Sequence, residues 1–483
     1  MFGRAVGLLV AAVVTGGATL LWVAVSIDMP RARGALSEGK LGQGEFLYSS
    51  DVPAPHVILA AIALAVFFAA GLNLLEWRVT NMLRRSSNGA RTSLAPKLIM
   101  AATRGVFAGP VSFTVLIPAY NEEASLSATL TSLLSQSHRP ERVIVIADNC
   151  TDGTAAIARG FGLEVYETRG NTQKKAGALN QVLSTLLPSQ GDNDIIMVLD
   201  ADTILGSGFL ESGAARFEAD RALMAIGGLF HGKPGAGLLG QMQRNEYTRY
   251  SSQVNRRRGK VFVLTGTASM FRSRALREVA RNRSTVIPGT REDVYDTHAL
   301  TEDNELTLAL KTLGAVITSP ASCTVVTEVM PSLRSLWVQR LRWQRGALEN
   351  IGAYGIRRPT LRYWAQQLGI GYSVIALTSF LSLIVITLLS VDLWIWFPFW
   401  LGLGTAFTIE RVVSAWNGGW PARLLAVTVV PELVFDMFLN LVYLKGIFDI
   451  TRGRQGAWGP GVDANPVVVG GEQSDQTQLS GAS

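Results

Sequence analysis

The sequence contains few of the residues that form disulfides and soft metal sites. Its 483 residues include only 2 cysteines and 4 histidines. Cys150 and Cys323 lie far apart in the chain, so they cannot build a disulfide framework or a cysteine-rich metal centre. The histidines do not cluster at the spacing of zinc ligands. This scarcity argues against a disulfide-stabilised module and against a histidine or cysteine metal site.

A nucleic-acid recognition motif is also missing, although the formal net charge is +7. Four basic residues stand close together at Arg256, Arg257, Arg258 and Lys260. A basic run without such a motif is usually a solvated or membrane-facing surface. We therefore predict no nucleic-acid partner.

Long apolar runs are present, and they gather at the two ends of the chain, which is 48% hydrophobic. The runs 6–27 and 57–75 are long enough to cross the ~30 Å hydrocarbon layer of a bilayer. The first is longer than the apolar part of a typical signal peptide, which is the alternative. We predict two transmembrane helices joined by an external loop, 28–55. Basic residues from Arg78 to Lys97 predict a cytoplasmic side after the second helix.

Three further apolar runs follow the polar middle of the chain, at 370–389, 393–409 and 424–444. They predict C-terminal transmembrane helices, although a proline and two acidic residues interrupt the last run. Three spans would place the C-terminus outside, whereas the basic residues after residue 444 favour the inside. The sequence leaves the side of the C-terminus open.

The middle of the chain has the pattern of a soluble α/β domain. Short β-branched strands at 111–118, 142–147 and 195–199 alternate with segments of helical spacing. This alternation is typical of a mostly parallel, Rossmann-like sheet covered on both faces. The predicted regions are 1–110 with two transmembrane helices and a linker, 111–330 as a cytosolic α/β domain, 331–365 as amphipathic interface helices, 366–450 as C-terminal transmembrane helices, and 451–483 as a disordered tail.

Polar clusters follow the predicted strands, at the ends where an open parallel sheet binds its ligands. They include Asp148 after the second strand, and Asp200 and Asp202, a D-x-D pair, after a later one. Two neighbouring carboxylates repel each other unless a cation compensates them, and Mg²⁺ or Mn²⁺ prefers oxygen ligands. Taken alone, this pair fits a helix cap better than a metal site.

The order of the clusters resembles a known family. IPAYNEE, ADNCTDGT, KKAGALN, VLDAD, TGTASMFR, TED and QRLRW follow one another between about residues 111 and 350. The set is similar to the processive membrane glycosyltransferases of family 2, which include the cellulose, chitin, hyaluronan and poly-N-acetylglucosamine synthases. The run EVMPSLRSLWVQRLRWQRG looks closest to the last type. The resemblance implies a GT-A-like cytosolic domain embedded between transmembrane α-helices, and an inverting sugar transfer.

The resemblance further implies a pocket for a UDP-sugar donor. The implied residues are Ala119, Tyr120 and Glu122 around the base and ribose, Asp148 at the uracil, Lys175 near the diphosphate, Asp200 at the nucleotide and Asp202 as ligand of Mg²⁺ or Mn²⁺. For Lys175 the alternative is a solvated lysine at the start of a helix. Thr265, Gly266 and Thr267 would form part of the acceptor wall, although they lack the cysteine that some family members carry there.

The resemblance also implies that the TED segment, residues 301–303, supplies the catalytic carboxylates. By resemblance, Asp303 would be the general base that takes a proton from the acceptor hydroxyl, and Glu302 would support the acceptor site. In-line attack on an α-linked donor would then give a β product. The same segment also has the pattern of a helix start, with Thr301 at the cap and acidic residues in the first turn. The two interpretations are compatible.

QRLRW lies on a predicted amphipathic helix, 333–354. Gln339, Arg342 and Trp343 are spaced i, i+3 and i+4, so they share one face. By resemblance, the arginine would neutralise the leaving diphosphate and the tryptophan would stack on a sugar ring of the acceptor. The alternative is an interface helix with tryptophan at the lipid headgroups, which explains Trp337 better than it explains this face.

After this helix the sequence departs from the cellulose synthases, because YGIRRPTLRYW stands where they carry a gating-loop motif. From the resemblance to the family as a whole, we expect UDP-N-acetylglucosamine or UDP-glucose as donor and a growing glycan as acceptor. The expected location is the plasma (inner) membrane, with the bilayer and an export or accessory protein as further partners. One alternative is the transfer of a single sugar to a lipid. Another, from a different class, is a catalytically silent membrane scaffold.

Overall fold

The computed structural model describes residues 8, 36–41, 44–49, 92–102, 109–390, 395–396, 398–454 and 456. The strands of this part are β1 (Leu36–Leu41), β2 (Gly44–Ser49), β3 (Ser112–Ala119), β4 (Arg142–Ala147), β5 (Glu164–Glu167), β6 (Asp194–Leu199), β7 (Ile204–Leu205), β8 (Leu223–Gly227), β9 (Leu229–Gly232), β10 (Ala268–Arg272), β11 (Val316–Thr318), β12 (Thr324–Thr327) and β13 (Ile395–Trp396). The helices are α1 (Pro96–Ala102), α2 (Leu126–Leu134), α3 (Thr154–Gly160), α4 (Lys174–Leu186), α5 (Phe209–Ala219), α6 (Gly237–Arg256), α7 (Ser273–Asn282), α8 (Glu302–Thr312), α9 (Leu333–Tyr354), α10 (Leu361–Ser390), α11 (Pro398–Ser414), α12 (Gly419–Thr428) and α13 (Val430–Thr451).

A seven-stranded sheet with the order β11-β8-β10-β6-β3-β4-β5 forms the centre of the domain. β3 pairs in parallel with β4 and with β6, and β4 pairs in parallel with β5. β10 is antiparallel to both of its neighbours. The prediction of a mostly parallel α/β sheet is therefore confirmed. The strand order reverses at β3, so a ligand crevice is expected at the carboxyl ends of β3 and its neighbours.

The side chains of β3 pack alternately into two hydrophobic cores, one on each face of the sheet. Phe113, Val115 and Ile117 belong to one core, together with the apolar side of α2. Leu116 belongs to the other core, which α4 covers. A strand points successive side chains to opposite faces, so burial on both faces requires an almost continuous apolar sequence.

A small second sheet, β7-β12-β9, lies beside the D-x-D segment. β12 pairs antiparallel with β7, with Val326 opposite Ile204, and in parallel with β9. Because β7 begins directly after the D-x-D segment, this pairing fixes where the segment leaves the central sheet.

The apolar C-terminal part folds into α10 to α13. The predicted run 370–389 lies within α10, and 393–409 covers β13 and part of α11. The run 424–444 is divided, because α12 and α13 separate at Val429, which has a φ of 56°. Within the described residues, no single helix combines the length and the hydropathy of a membrane span. Trp416–Thr428 and Val430–Thr451 meet both criteria only as a pair, across a bend of 85°.

The N-terminal predictions are tested only in part. The predicted spans 6–27 and 57–75 lie outside the described residues, apart from residue 8, as does most of the predicted tail 451–483. The segment expected as a loop contains the hairpin β1–β2, whose second strand pairs with β13. The sequence did not predict these strands, because their pairing depends on partner strands that composition does not reveal. The external position of the segment stays a prediction.

Candidate active site

The loops that follow β3 and β4 are tied to each other at the edge of the sheet. The backbone N–H of Thr151 donates to Oδ1 of Asn121 at 2.8 Å. Asn121 has a φ of 53°, in the left-handed region that asparagine tolerates better than most residues. Together the loops form one rim, on which Tyr120 is exposed while Ala119 is buried beneath it.

Asp148 is buried at the end of β4, where three side chains donate hydrogen bonds to one of its oxygens. Oδ1 accepts from the hydroxyl of Thr168 at 2.8 Å, from the amide of Asn171 at 2.8 Å and from the amide of Asn149 at 3.1 Å. These bonds hold the carboxylate in one orientation at the rim. The sequence predicted Asp148 but none of its three partners. Asn149 is the next residue, whereas Thr168 and Asn171 follow β5, which pairs with β4.

The D-x-D segment is held between the central sheet and the small one. The N–H of Asp200 donates to the carbonyl of Thr267 at 2.8 Å, and the hydroxyl of Thr203 donates to Oδ1 of Asp202 at 3.1 Å. The next helix, α5, begins only at Phe209. Neither aspartate caps a helix, so that alternative is wrong.

Burial and neighbouring carboxylates raise the pKa values around the D-x-D segment. The pKa of Asp202 is raised first by burial and then by the nearby Glu122. The pKa of Glu122 is also raised, mainly by burial, with Glu328 and Asp200 adding to the effect. Glu328 was not predicted from the sequence, because only the antiparallel pairing of β12 with β7 brings it beside the D-x-D segment.

This excess of negative charge on oxygen ligands fits a hard divalent cation such as Mg²⁺ or Mn²⁺. In the part of the chain that the structure describes, no group of three or more His, Cys, Asp or Glu side chains is placed to hold a metal ion. A cation here would therefore need further ligands from a bound molecule or from water.

Lys175 lies at the centre of the site, in the first turn of α4. Its Nζ donates to Oδ1 of Asp200 at 2.6 Å and to the carbonyl of Gly266 at 3.2 Å, and it lies 3.3 Å from Oε1 of Glu302. Burial alone would lower its pKa, but the two carboxylates raise it above its ordinary value. Burial raises the pKa of Asp200 to about 6 despite the lysine. With its side chain only 19% exposed, Lys175 is not the solvated lysine of the alternative.

Asp303 follows at the start of α8, beside the TGT segment. Its Oδ2 accepts the backbone N–H of Gly266 at 3.0 Å. Its pKa is raised to about 6, first by burial and then by Glu302, while Lys175 and Arg342 oppose the rise. The structure thus brings the predicted base, the central lysine and the arginine of QRLRW together.

The other two residues of the TGT segment, Thr265 and Thr267, contact each other through their side chains. The hydroxyls of Thr265 and Thr267 share a hydrogen bond of 2.7 Å.

Behind the segment is a small cavity of about 10 Å³, which Tyr295 and Asp303 help to line. That volume suits roughly one water molecule. Tyr295 is a further site residue that no motif marked.

Helix α9, which carries QRLRW, begins and ends at the predicted residues and packs closely on the start of α8. A Cβ added to Gly346 would lie 2.5 Å from the hydroxyl oxygen of Thr301. The amide of Asn350 donates to the carbonyl of Thr301 at 3.2 Å. A glycine and an asparagine therefore allow the motif helix to approach the TED segment.

Gln339 and Trp343 are half-buried on the same helix. The Oε1 of Gln339 is buried without a hydrogen-bond partner among the described residues. Such an acceptor lowers stability unless another group binds it. The guanidinium carbon of Arg340 lies 4.3 Å from the centroid of the Trp343 ring.

A buried ion pair behind the site supports α8. The fully buried Arg283 donates to Oε2 of Glu305 at 2.7 Å, and the hydroxyl of Tyr354 donates to the same carboxylate. This network joins α8 to the end of α9. This network could not be predicted from the sequence, because an arginine within the polar stretch RNRST is usually solvated.

Comparison with known proteins agrees with the resemblance seen in the sequence. Residues 114–280 match the family model described as Glycosyl transferase family 2. The prediction of a family 2 glycosyltransferase domain with a mostly parallel α/β sheet is confirmed for these residues.

Two curated relatives are poly-beta-1,6-N-acetyl-D-glucosamine synthases. That of Staphylococcus aureus is 27% identical over 246 residues, which are 49% of this chain and 54% of the relative. That of Staphylococcus epidermidis is 26% identical over 244 residues, which are 48% of this chain and 54% of the relative. The chain thus spans about half the length of the curated relatives that it matches.

Two solved structures are similar at lower identity. The mannosyltransferase PcManGT from Pyrobaculum calidifontis, in complex with GDP-Man and Mn²⁺, is 17% identical with a TM-score of 0.44, over 73% of this chain and 97% of the other. S. aureus TarS 1–349, in complex with UDP-GlcNAc, is 17% identical with a TM-score of 0.35, over 71% of this chain and 93% of the other.

Proposed function

We propose that this protein is an inverting glycosyltransferase that extends a β-linked polysaccharide from a UDP-sugar donor. The observation that carries the proposal is the meeting of Lys175, Asp200, Glu302, Asp303 and Arg342 where the D-x-D, TED and QRLRW segments converge. A carboxylate of raised pKa beside two cations can take a proton from an acceptor, while the cations stabilise a departing diphosphate.

Asp303 is the general base of the proposed reaction. The acceptor oxygen forms a bond to the anomeric carbon of the donor, the bond from that carbon to the diphosphate breaks, and the hydroxyl proton passes to Asp303. The backbone N–H of Gly266 donates to Oδ2 of the base at 3.0 Å, and that of Asn304 donates to Oδ1 at 2.8 Å, so the carboxylate is held in one orientation. A carboxylate oxygen has a second lone pair, with which it can accept a hydrogen bond from the acceptor hydroxyl. With a pKa of about 6, the carboxylate is mostly ionised at neutral pH.

The donor would lie along the carboxyl ends of β4, β3 and β6. Asp148 would accept a hydrogen bond from the base, and Lys175 and Arg342 would face the diphosphate. Asp202, with Glu122 close by, would hold a Mg²⁺ or Mn²⁺ ion, whose charge would offset that of the diphosphate.

The sugar we favour is N-acetylglucosamine, because the curated relatives are named as synthases of a poly-N-acetylglucosamine. UDP-glucose is the alternative donor. A chain-forming reaction is favoured over the transfer of a single sugar to a lipid, because Trp343 is half-buried and can offer part of its ring to a saccharide.

We further propose that the protein is held in the plasma (inner) membrane, with its catalytic domain on the cytoplasmic side and an export or accessory protein as partner. α11 and α13 expose large apolar side chains, among them Leu401, Phe407, Val434, Leu441 and Phe448. An apolar surface of this kind suits lipid. Resistance of the protein to alkaline extraction from membranes tests this point, and release into the soluble fraction would contradict it.

The deciding experiment is turnover of a panel of UDP-sugars by the full chain in lipid nanodiscs with Mg²⁺ or Mn²⁺, with product length read by mass spectrometry. The wild type is compared with Asp303→Asn. The control is Glu211→Gln, which removes a carboxylate from the first turn of a different helix. We expect a polymer from one donor, kept in the control and lost in Asp303→Asn.

A product with one added sugar would instead support lipid glycosylation. Absence of turnover in every folded preparation, with and without membrane extract to supply an accessory protein, would support the silent scaffold.

A further inference from the structure

Arg340 is the member of QRLRW that is buried in the protein interior. Its side chain is 4% exposed, and its guanidinium carbon lies 4.3 Å from the ring centroid of Trp343 and 5.7 Å from that of Tyr247. One nitrogen donates to Oε2 of Glu246 at 2.7 Å. The Nε has no hydrogen-bond partner among the described residues. A buried, incompletely paired arginine contributes little to stability, which points to another role.

The contact with Trp343 suggests what that role is. Arg340 precedes Trp343 by three residues on α9, so the two side chains stack along one face of the helix. A guanidinium over an indole face is a favourable cation–π contact, and it is stronger where water is excluded. Because Trp343 is half-buried, the contact can fix the ring while leaving part of it accessible.

Arg340 is itself anchored through Glu246 to α6, and α6 is anchored to the C-terminal helices. The amide of Asn245 donates to Oε1 of Glu432 on α13 at 3.0 Å. The Nε of Arg249 donates to the hydroxyl of Ser414 on α11 at 3.3 Å. A chain of polar contacts thus runs from the apolar helices, through α6, to the indole of QRLRW.

We propose that Arg340 and Glu246 are positioning residues that hold the Trp343 ring in the orientation that receives the acceptor sugar. This inference rests on the acceptor role proposed for Trp343. The contacts of both residues are to the indole and to α6, not to the cluster around Lys175. Their loss should therefore weaken acceptor binding and shorten the product, and should leave cleavage of the donor unchanged.

Fluorine NMR tests the positioning without reference to catalysis. The full chain is labelled with 5-fluorotryptophan and placed in nanodiscs. The resonance of Trp343, one of 11 tryptophans, is the one that disappears in Trp343→Phe. Arg340→Met keeps an unbranched side chain but removes the guanidinium, so we expect that resonance to shift and broaden. Glu246→Gln should move it in the same direction, because it releases the anchor of Arg340.

Kinetics test the consequence for the acceptor. In Arg340→Met, we expect the acceptor KM to rise about tenfold, the scale expected for losing a buried cation–π contact. Hydrolysis of the UDP-sugar without acceptor should stay within about twofold of wild type, because only the acceptor platform is altered. If the pair acts as a unit, the double variant Arg340→Met/Glu246→Gln should lose less than the sum of the single losses.

The matched control is Arg345→Met on the same helix. Arg345 is also buried and donates to a glutamate, Glu349, at 2.6 Å, but the guanidinium that lies over the Trp343 ring is that of Arg340. The Arg345→Met variant should therefore leave the Trp343 resonance unshifted. An unmoved resonance and an unchanged acceptor KM in folded Arg340→Met would overturn the positioning role. An unchanged acceptor KM in Trp343→Phe would instead overturn the acceptor role in the proposed function.

Discussion

Lys175 contacts the carboxylates of Asp200 and Glu302, and Asp303 lies beside them at the start of α8. Burial raises the pKa of both Asp200 and Asp303 to about 6. A carboxylate whose pKa is raised by folding is less stable as an anion in the folded chain than in the unfolded chain. The residues that suit the site for chemistry therefore reduce stability at neutral pH, as functional sites often do.

Asp303→Asn should abolish transfer and stabilise the protein at the same time. The amide cannot take the acceptor proton, so we expect the transfer rate to fall by at least about a hundredfold. The folded pKa of Asp303 lies above the unfolded value, so ionisation weakens the fold as pH rises through about 6. The variant should gain stability on the order of 1 kcal/mol at pH 8, after allowance for screening, and almost none at pH 4.

Thermal unfolding at pH 8 and pH 4 measures this difference. A variant that is equally inactive but less stable than wild type at pH 8 would contradict the pKa assignment while leaving the role of Asp303 as base intact.

The pH dependence of turnover should report the same carboxylate. We expect kcat/KM to fall below a pKa of about 6, approaching tenfold per pH unit, because protonated Asp303 cannot act as a base. Lys175 lowers the pKa of Asp303, so Lys175→Met should reduce activity and move the acid limb to higher pH. Lys174→Met, at the neighbouring position, is the control. An acid limb that stays in place in Lys175→Met would argue against Asp303 as the titrating group.

At the scale of elements, the site depends on how closely α9 approaches α8. Gly346 lies against Thr301, and Asn350 donates to the Thr301 carbonyl. The buried pair of Arg283 and Glu305 supports α8 from behind. The helix carrying QRLRW is thus placed by contacts that do not themselves touch a ligand.

Gly346→Ala tests this approach. The added Cβ would lie 2.5 Å from the Thr301 hydroxyl oxygen, so the helices must separate and stability should fall by about 1–3 kcal/mol. Activity should fall as well, because Arg342 moves away from Asp303. Adding Thr301→Ala should restore part of both, since it removes the clashing atoms. Gly160→Ala, where nothing lies within 4 Å of the new methyl group, is the control and should be close to neutral.

At the scale of the whole molecule, nucleotide and metal should stabilise the fold only together. The described acidic side chains do not form a complete metal site, so in the proposed reaction the diphosphate would supply further ligands. We expect Mn²⁺ alone to change Tm little, and UDP with Mn²⁺ to raise it by several degrees, as selective binding to the folded state requires. Asp202→Asn should remove the metal-dependent part. Asp192→Asn, a half-exposed carboxylate paired with Arg277, is the control.

Differential scanning fluorimetry of the wild type and the two variants, each with Mn²⁺ alone and with UDP and Mn²⁺, measures these changes in Tm. Strong stabilisation by Mn²⁺ without nucleotide, lost in Asp202→Asn, would mean that the chain holds the metal by itself.

Much of the fold could be read from local pattern. β4 and α9 begin and end at the predicted residues, because their apolar spacing is set by neighbours along the chain. The order of short motifs predicted the family of the domain, and it singled out Lys175, Asp200 and Asp303 before any contact was known. The roles of these residues in transfer remain predictions.

The sequence by itself determined which segments are strands and helices, and which polar clusters end them. Only the tertiary structure decided which charges meet. Sheet order joins Lys175 to Asp200, β12 pairing returns Glu328 to the D-x-D segment, and packing buries Arg283 against Glu305. Periodicity depends on residues a few positions apart, whereas the partner of a charge depends on which distant strands and helices become neighbours, and that is fixed only when the whole chain packs.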